Sequence, residues 1–200
     1  MTTKISALRG RPRSFDRDAA VDVAMRLFHA RGYEAVSVAE IGKALGIKPP
    51  SFYSAFGSKA GLFARVVERY AETGERFAVD ALAGGSSVAD GIERLLLGIA
   101  RIYLQCDSAA GCLVIDATRN STDPEARAIT ARQGAAGRAI IRDAIAQEFP
   151  DRAEALADDV VIAMKGMSAA ARDGASLETL ARFAAMVARA FRQELETPAG

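Results

Sequence analysis

Eleven residues, GIKPPSFYSAF from Gly46 to Phe56, set two prolines side by side, then a serine, two aromatics and a second serine. Lys48, Ser51, Tyr53 and Ser54 supply one cation and three hydroxyls, with no base beside them. The chemistry open to such a set is hydrogen bonding and charge rather than bond breaking. Proline is tolerated in the first turn of a helix, where N–H groups have no intrahelical partner. Pro49 and Pro50 therefore open a helix over Pro49–Phe56. Phe52 and Phe56, four apart, turn inward with Ile47, and Ser51, Tyr53 and Ser54 are left facing out.

The rest of the chain is poor in catalytic parts. It has one histidine, His29, read as a surface or structural residue, and no metal-ligand cluster can be assembled around it. Gly84-Gly85 and Gly134-Ala-Ala-Gly137 do not meet the phosphate-loop pattern. Gly166-Met-Ser168 lacks the second glycine of a nucleophile elbow. No enzyme activity, metal or cofactor is expected.

The elements that must position the Gly46–Phe56 stretch lie just upstream. Apolar residues recur at Ala20, Val23, Ala24, Leu27 and Phe28, one face of a helix that starts near Asp16 and stops at Gly32. Ser37-Val-Ala-Glu40 is a capping box, in which serine and glutamate satisfy each other's backbone N–H groups. Val38, Ile41 and Leu45 make the stripe of a second, short helix, ended by Gly46. Two short helices joined by a glycine-containing turn form a helix–turn–helix whose second helix presents hydroxyls and a ring to solvent.

Charge gives this unit a direction. The whole chain of 200 residues carries a net +1. Residues 1–60 hold ten lysines and arginines against five acids, a balance of +5. The remaining 140 residues hold sixteen against twenty, a balance of −4. A basic quarter on an acidic body suits a polyanionic partner. Residues 1–13 include RGRPR at Arg9–Arg13 and read as a flexible basic arm. Arg11 and Arg13 are placed to reach phosphates or a minor groove, while the second helix enters the major groove of duplex DNA.

The run AMRLFHARGYEAVSVAEIGKALGIKPPSFYSAFGSKAGLF resembles the N-terminal domain of the TetR family of transcriptional regulators. The likeness rests on the Leu27-Phe28…Gly32-Tyr33 element, the serine-started helix with Ile41 and Gly46, and the Tyr53, Phe56, Ser58, Lys59 signature. It departs from many members at Pro49 and Pro50. The resemblance implies that Ser37, Tyr53 and Lys59 touch phosphates. It also implies that Lys48, Ser51 and Ser54 reach base edges, with Pro49 beside them among the expected DNA-binding residues, and with Phe28, Tyr33, Ile41, Leu45 and Phe56 in the core. Phosphate contacts fix register and base contacts carry the sequence information.

The expected architecture is all-α: a helix–turn–helix domain over 14–60 and a larger helical domain over 61–200. A long helix from Ser58 to about Leu82 joins them and is expected to carry any response between them. Further helices start at Ser87, Asp123 and Ser176, with a short one at Cys112–Thr118, and Pro150 opens another to about Arg172.

The resemblance implies that the larger domain binds a small effector and pairs with a second copy. Tyr70, Phe77, Tyr103, Cys112, Ile115, Arg119, Met164 and Met167 are the expected ligand-binding residues, with Arg119 available to an anionic ligand or to a neighbouring acid. The last helix carries two adjoining stripes, Leu177, Leu180, Ala184, Val187, Phe191 and Phe183, Met186, Ala190, a face too wide for one partner. Leu156, Val160, Met164, Leu180, Phe183, Val187 and Phe191 are the expected dimer contacts.

The Gly111-Cys-Leu segment is similar to a subgroup of the family, some of whose members sense electrophiles or oxidants through cysteine. That gives an alternative reading in which Cys112 or Cys106 is the sensor. A more distant alternative is a helical binding module that does not act on DNA. Two cysteines, no apolar leader and no long apolar run lead us to expect a cytoplasmic protein with no membrane segment.

Overall fold

The computed structural model describes residues 16–105 and 109–197. Cys106 and the arm residues Arg9, Arg11 and Arg13 lie outside them. The described chain is helical throughout, with no strand among the described residues: α1 (Arg17–Arg31), α2 (Val38–Leu45), α3 (Pro49–Phe56), α4 (Lys59–Ala83), α5 (Val88–Ile102), α6 (Leu113–Asp116), α7 (Pro124–Ala146), α8 (Ala153–Arg172) and α9 (Leu177–Glu196).

The helix starts follow their local chemistry. Asp16, Ser37, Ser58, Ser87, Asp123 and Ser176 each accept a first-turn N–H with the side chain, which satisfies donors that have no helical partner. Ser37 and Glu40 close the full capping box. Gly46 ends α2 in the left-handed region, with φ +64°. A Cβ is disfavoured there, so the tight turn into α3 depends on glycine.

The buried apolar residues form two clusters, and α4 runs through both. The first joins Phe28, Tyr33, Ile41, Phe52, Phe56, Leu62, Phe63 and Val66 to Leu113, Ala117, Ala126 and Ile129 from α6 and α7. Phe28, Tyr33 and Phe63 stack on one another with ring centroids 4.9–5.7 Å apart. The second cluster is built on α5, α7, α8 and α9, with Leu95, Leu96, Ile145, Leu156, Met167 and Phe191. Residue 60, the expected domain border, falls inside the first cluster, because Ala60 and its neighbours on α4 complete the core beneath α3.

Four of the expected dimer residues belong to the chain's own interior. Leu156, Val160, Leu180 and Phe191 are buried in the second cluster, so a second copy cannot reach them with the helices so placed. Val187 and Met164 are half-buried against the same cluster. Phe183 lies at the surface, together with Leu177, Met186 at 50% and Ile162 at 65% exposure. The first stripe of α9 packs inward, apart from Leu177, and the second faces out. Sequence periodicity marks both stripes as apolar but does not say which one the chain itself covers.

Candidate nucleic-acid interface

α3 is held from one side and bare on the other. Phe52 and Phe56 are buried, with centroids 5.5 Å apart, and Ile47 packs beside them. Lys48, Pro49, Ser51, Tyr53 and Ser54 all face solvent. Tyr53 is 52% exposed and rests edge-on against Phe52, ring centroids 5.4 Å apart. The predicted orientation of the eight-residue helix is therefore the observed one.

The start of α3 has few backbone donors to offer. Pro49 and Pro50 carry no N–H. The N–H groups of Ser51 and Phe52 both point to the Lys48 carbonyl, at 3.0 and 3.1 Å. Lys48 makes no side-chain cap. Whatever this end of the helix binds must meet side chains.

The other expected contacts are more committed than their types suggest. The Ser37 hydroxyl donates to Glu40 Oε2 at 2.9 Å and accepts the Glu40 N–H at 3.2 Å. Glu40 also takes the Ser37 N–H and the Arg31 guanidinium, at 2.9 and 2.7 Å. These donors, the Ser37 backbone first, hold its carboxyl down to about 2. Lys59 is half-buried, with Nζ 4.0 Å over the Tyr33 ring. Burial lowers the pKa of this ammonium, while Glu34 and Asp123 oppose that shift.

One residue that sequence reasoning passed over joins the exposed set. Arg17, in the first turn of α1, lines an open cleft with Pro50, Ser51, Ser54 and Ala55 of α3. More than thirty residues separate the two walls, and no spacing rule connects them.

Behind this face, the helix–turn–helix is bolted to the body. Tyr33 donates its N–H to the Ala117 carbonyl at 2.7 Å and its hydroxyl to Asp123 at 2.8 Å. Glu34 accepts from Ser121 and Thr122 at 2.8 and 2.9 Å. On the same side, the Arg172 guanidinium donates to the His29 carbonyl at 2.8 Å and to Asp116 at 2.9 Å. The carboxylate of Asp116, whose side chain is only 4% exposed, also accepts from Ser168 at 2.6 Å.

The His29 ring is buried, with Nε2 3.1 Å from the Gly111 carbonyl. It is a structural residue, not a surface one. The expected connection through α4 is therefore joined by others. Ties from α6, α7 and α8 reach α1 and the turn that follows it directly.

The expected ligand residues do not share one environment. Tyr103 and Met167 are closed into the core. Tyr70, Phe77, Cys112, Ile115 and Met164 are half-buried. Arg119 is exposed and paired with Asp116 at 3.0 Å. Cys112 stands before the first residue of α6, but burial pushes its thiol pKa up, which works against thiolate chemistry. Among the described residues no group of His, Cys, Asp and Glu could hold a metal ion. No helix among them is long and apolar enough to cross a membrane.

Residues 20–66 match the family model for bacterial regulatory proteins of the tetR family. The chain is 42% identical over 196 residues to the HTH-type transcriptional repressor BdcR of Escherichia coli (strain K12), covering 98% of this chain and 99% of that one. It is 35% identical to the repressor ComR of the same organism, covering 94% of each. Among solved structures it resembles a cysteine mutant of the TetR family transcriptional regulator CifR complexed with 26-base-pair operator DNA. That similarity has a TM-score of 0.77 and 34% identity, over 90% of this chain and 99% of that one. The chain belongs to the TetR family of bacterial regulatory proteins.

Proposed function

We propose that this chain is a DNA-binding transcriptional repressor that acts as a homodimer on a palindromic operator and is released by a small molecule. The observation that carries this reading is α3, whose inner face is locked by Phe52 and Phe56 while Lys48, Ser51, Tyr53 and Ser54 face solvent. A rigid helix with unspent polar groups suits the major groove. The relatives support it, since two are named as repressors and a third was solved on operator DNA.

Pairing is supported by Ile162, Leu177, Phe183 and Met186, large apolar side chains that α8 and α9 leave exposed. In a dimer the two α3 helices must lie about 34–36 Å apart to enter successive major grooves. An effector that favours another spacing releases the DNA, and a coupling of about 1–3 kcal/mol is typical. The Tyr33, Glu34 and Arg172 ties give such an effector a route to α1 besides α4. A non-covalent effector fits better than a cysteine-based one, given the burial of Cys112.

The test uses the duplex next to the protein's own coding region. Salt-dependent binding to a palindrome there, far tighter than to a scrambled duplex, is the expected result. Equal affinity for both duplexes, or no binding, would sink the proposal.

A further inference from the structure

We infer that the cleft between α1 and α3 is a seat for a backbone phosphate of duplex DNA, with Arg17 as its cation and Ser54 as a hydroxyl donor on the opposite wall. The inference rests on the reading of the chain as a DNA-binding protein. It assigns a role to Arg17 and moves Ser54 from base reading to backbone holding.

Three observations carry it. First, Arg17 lines the cleft together with Pro50, Ser51, Ser54 and Ala55, so one arginine and two serines border a single open space. Second, Arg17 makes no hydrogen bond or ion pair among the described residues. The acids around it are otherwise engaged. Asp16 caps α1 through the N–H groups of Asp18 and Ala19. Asp18 and Asp22 are paired with Arg69 at 3.7 and 3.4 Å. Third, α3 cannot hold an anion in the usual way, with free N–H groups at its start. Two of those N–H groups are absent at the prolines, and the next two are spent on the Lys48 carbonyl. A phosphate beside this end must be met by side chains, and those facing the cleft are Arg17, Ser51 and Ser54.

Arginine presents a planar fork of donors that matches a phosphate oxygen pair. A serine hydroxyl adds a single further donor. Such a contact sets the depth and tilt of α3 in the groove without reading a base. It also explains how a helix begun by two prolines can still be held against DNA.

The experiment needs no knowledge of the operator, because a phosphate contact is independent of sequence. A labelled random-sequence duplex of about 30 base pairs and the duplex from beside the coding region are titrated over a salt series. The proteins are the full chain, Arg17→Ala, Arg17→Lys and Ser54→Ala. The expected result is that Arg17→Ala weakens binding to both duplexes by a similar factor, about tenfold at low salt. The slope of log affinity against log salt should shrink by about one per protomer. Arg17→Lys keeps the slope, and Ser54→Ala weakens both duplexes alike.

Thermal melting should be unchanged in every variant. If the full chain binds and Arg17→Ala leaves both affinity and slope where they were, the phosphate seat is wrong while the DNA-binding reading stands. If Arg17→Ala or Ser54→Ala weakens only the specific duplex, the cleft reads bases and the inference is overturned. If the full chain shows no salt-dependent binding to either duplex, the functional reading itself fails.

Discussion

The two sides of the helix–turn–helix are opposites. The outer face of α3 and the neighbouring Arg17 are polar and exposed, and among the described residues their side chains have no partner beyond the edge contact of Tyr53. The inner side, where α1 meets α6, α7 and α8, is polar and saturated. Arg172, Asp116, Ser168, His29, Tyr33 and Glu34 all find hydrogen bonds there. A polar group inside a protein costs free energy unless it is bonded, so the inner set explains itself as structure. The outer set has no such explanation among the described residues. Unspent donors on a rigid support are what an external partner needs, and that contrast locates function more sharply than residue type alone.

The largest effect should come from removing the support. Phe52→Ala leaves a cavity beneath α3 and should cost about 3–5 kcal/mol, read by chemical denaturation, with DNA binding lost. A loss of less than about 1 kcal/mol would mean that α3 is not pinned as described. Next, Asp116→Ala strips the partner from Ser168 and Arg172 at the inner junction and should cost about 2–3 kcal/mol. Arg119→Ala, which touches the same carboxylate from an exposed position, should cost almost nothing. Equal effects for the two variants would erase the distinction between inner and outer sides.

A smaller, binding-only effect is expected at Lys59. Its Nζ stacks on Tyr33, yet as a phosphate contact its removal should lower affinity for all duplexes by about three- to tenfold. The salt slope should fall by about one per protomer. Unchanged binding would assign Lys59 to the inner side, as a packing residue.

The most gradual test is pH. His29 is held neutral chiefly by burial. The Gly111 carbonyl opposes that shift, Arg172 reinforces it, and Asp116 opposes it again. The neutral form is therefore the one favoured in the fold, so its contribution is whole above pH 6.5 and is lost as pH falls below that value. Glu40 and Asp90, both held down to about 2, keep their contributions above their ordinary values of 4.5 and 3.8 and lose them as pH falls toward 2. Melting temperature should be flat near neutrality, decline from about pH 6.5 as His29 charges, and decline more steeply below about 4.5. A flat profile from pH 7 to 5 would show that His29 is not held neutral by the inner junction.

The α3 part of the outer side was legible in the sequence because its determinants are local, whereas Arg17, brought to it from α1 by the fold, was not. Proline at a helix start, a capping box and two phenylalanines four apart act over a single turn or two, and each reads directly as geometry. The inner side was not. Tyr33 meets Asp123 across 90 residues and Arg172 meets His29 across 143. Tyrosine, aspartate, histidine and arginine in a helical sequence look like solvated surface until the fold brings them together. Cys112 shows the same limit, since the Gly111-Cys-Leu likeness suggested a sensor thiol and only its tertiary surroundings argue the other way. The two stripes of α9 were visible as apolar, but the choice between inward and outward belongs to α5 and α8, which α9 packs against.

The eight residues of α3 keep two separate ledgers of inheritance. Phe52 and Phe56 are answerable to the fold, and nearly any change there is selected against before DNA is met. Lys48, just before the helix, and Ser51 on it stand clear of the core, and exchanges at such sites usually alter stability by no more than about 0.5 kcal/mol. If these side chains meet the bases as proposed, a lineage can exchange them and move from one operator to another while the scaffold stays intact.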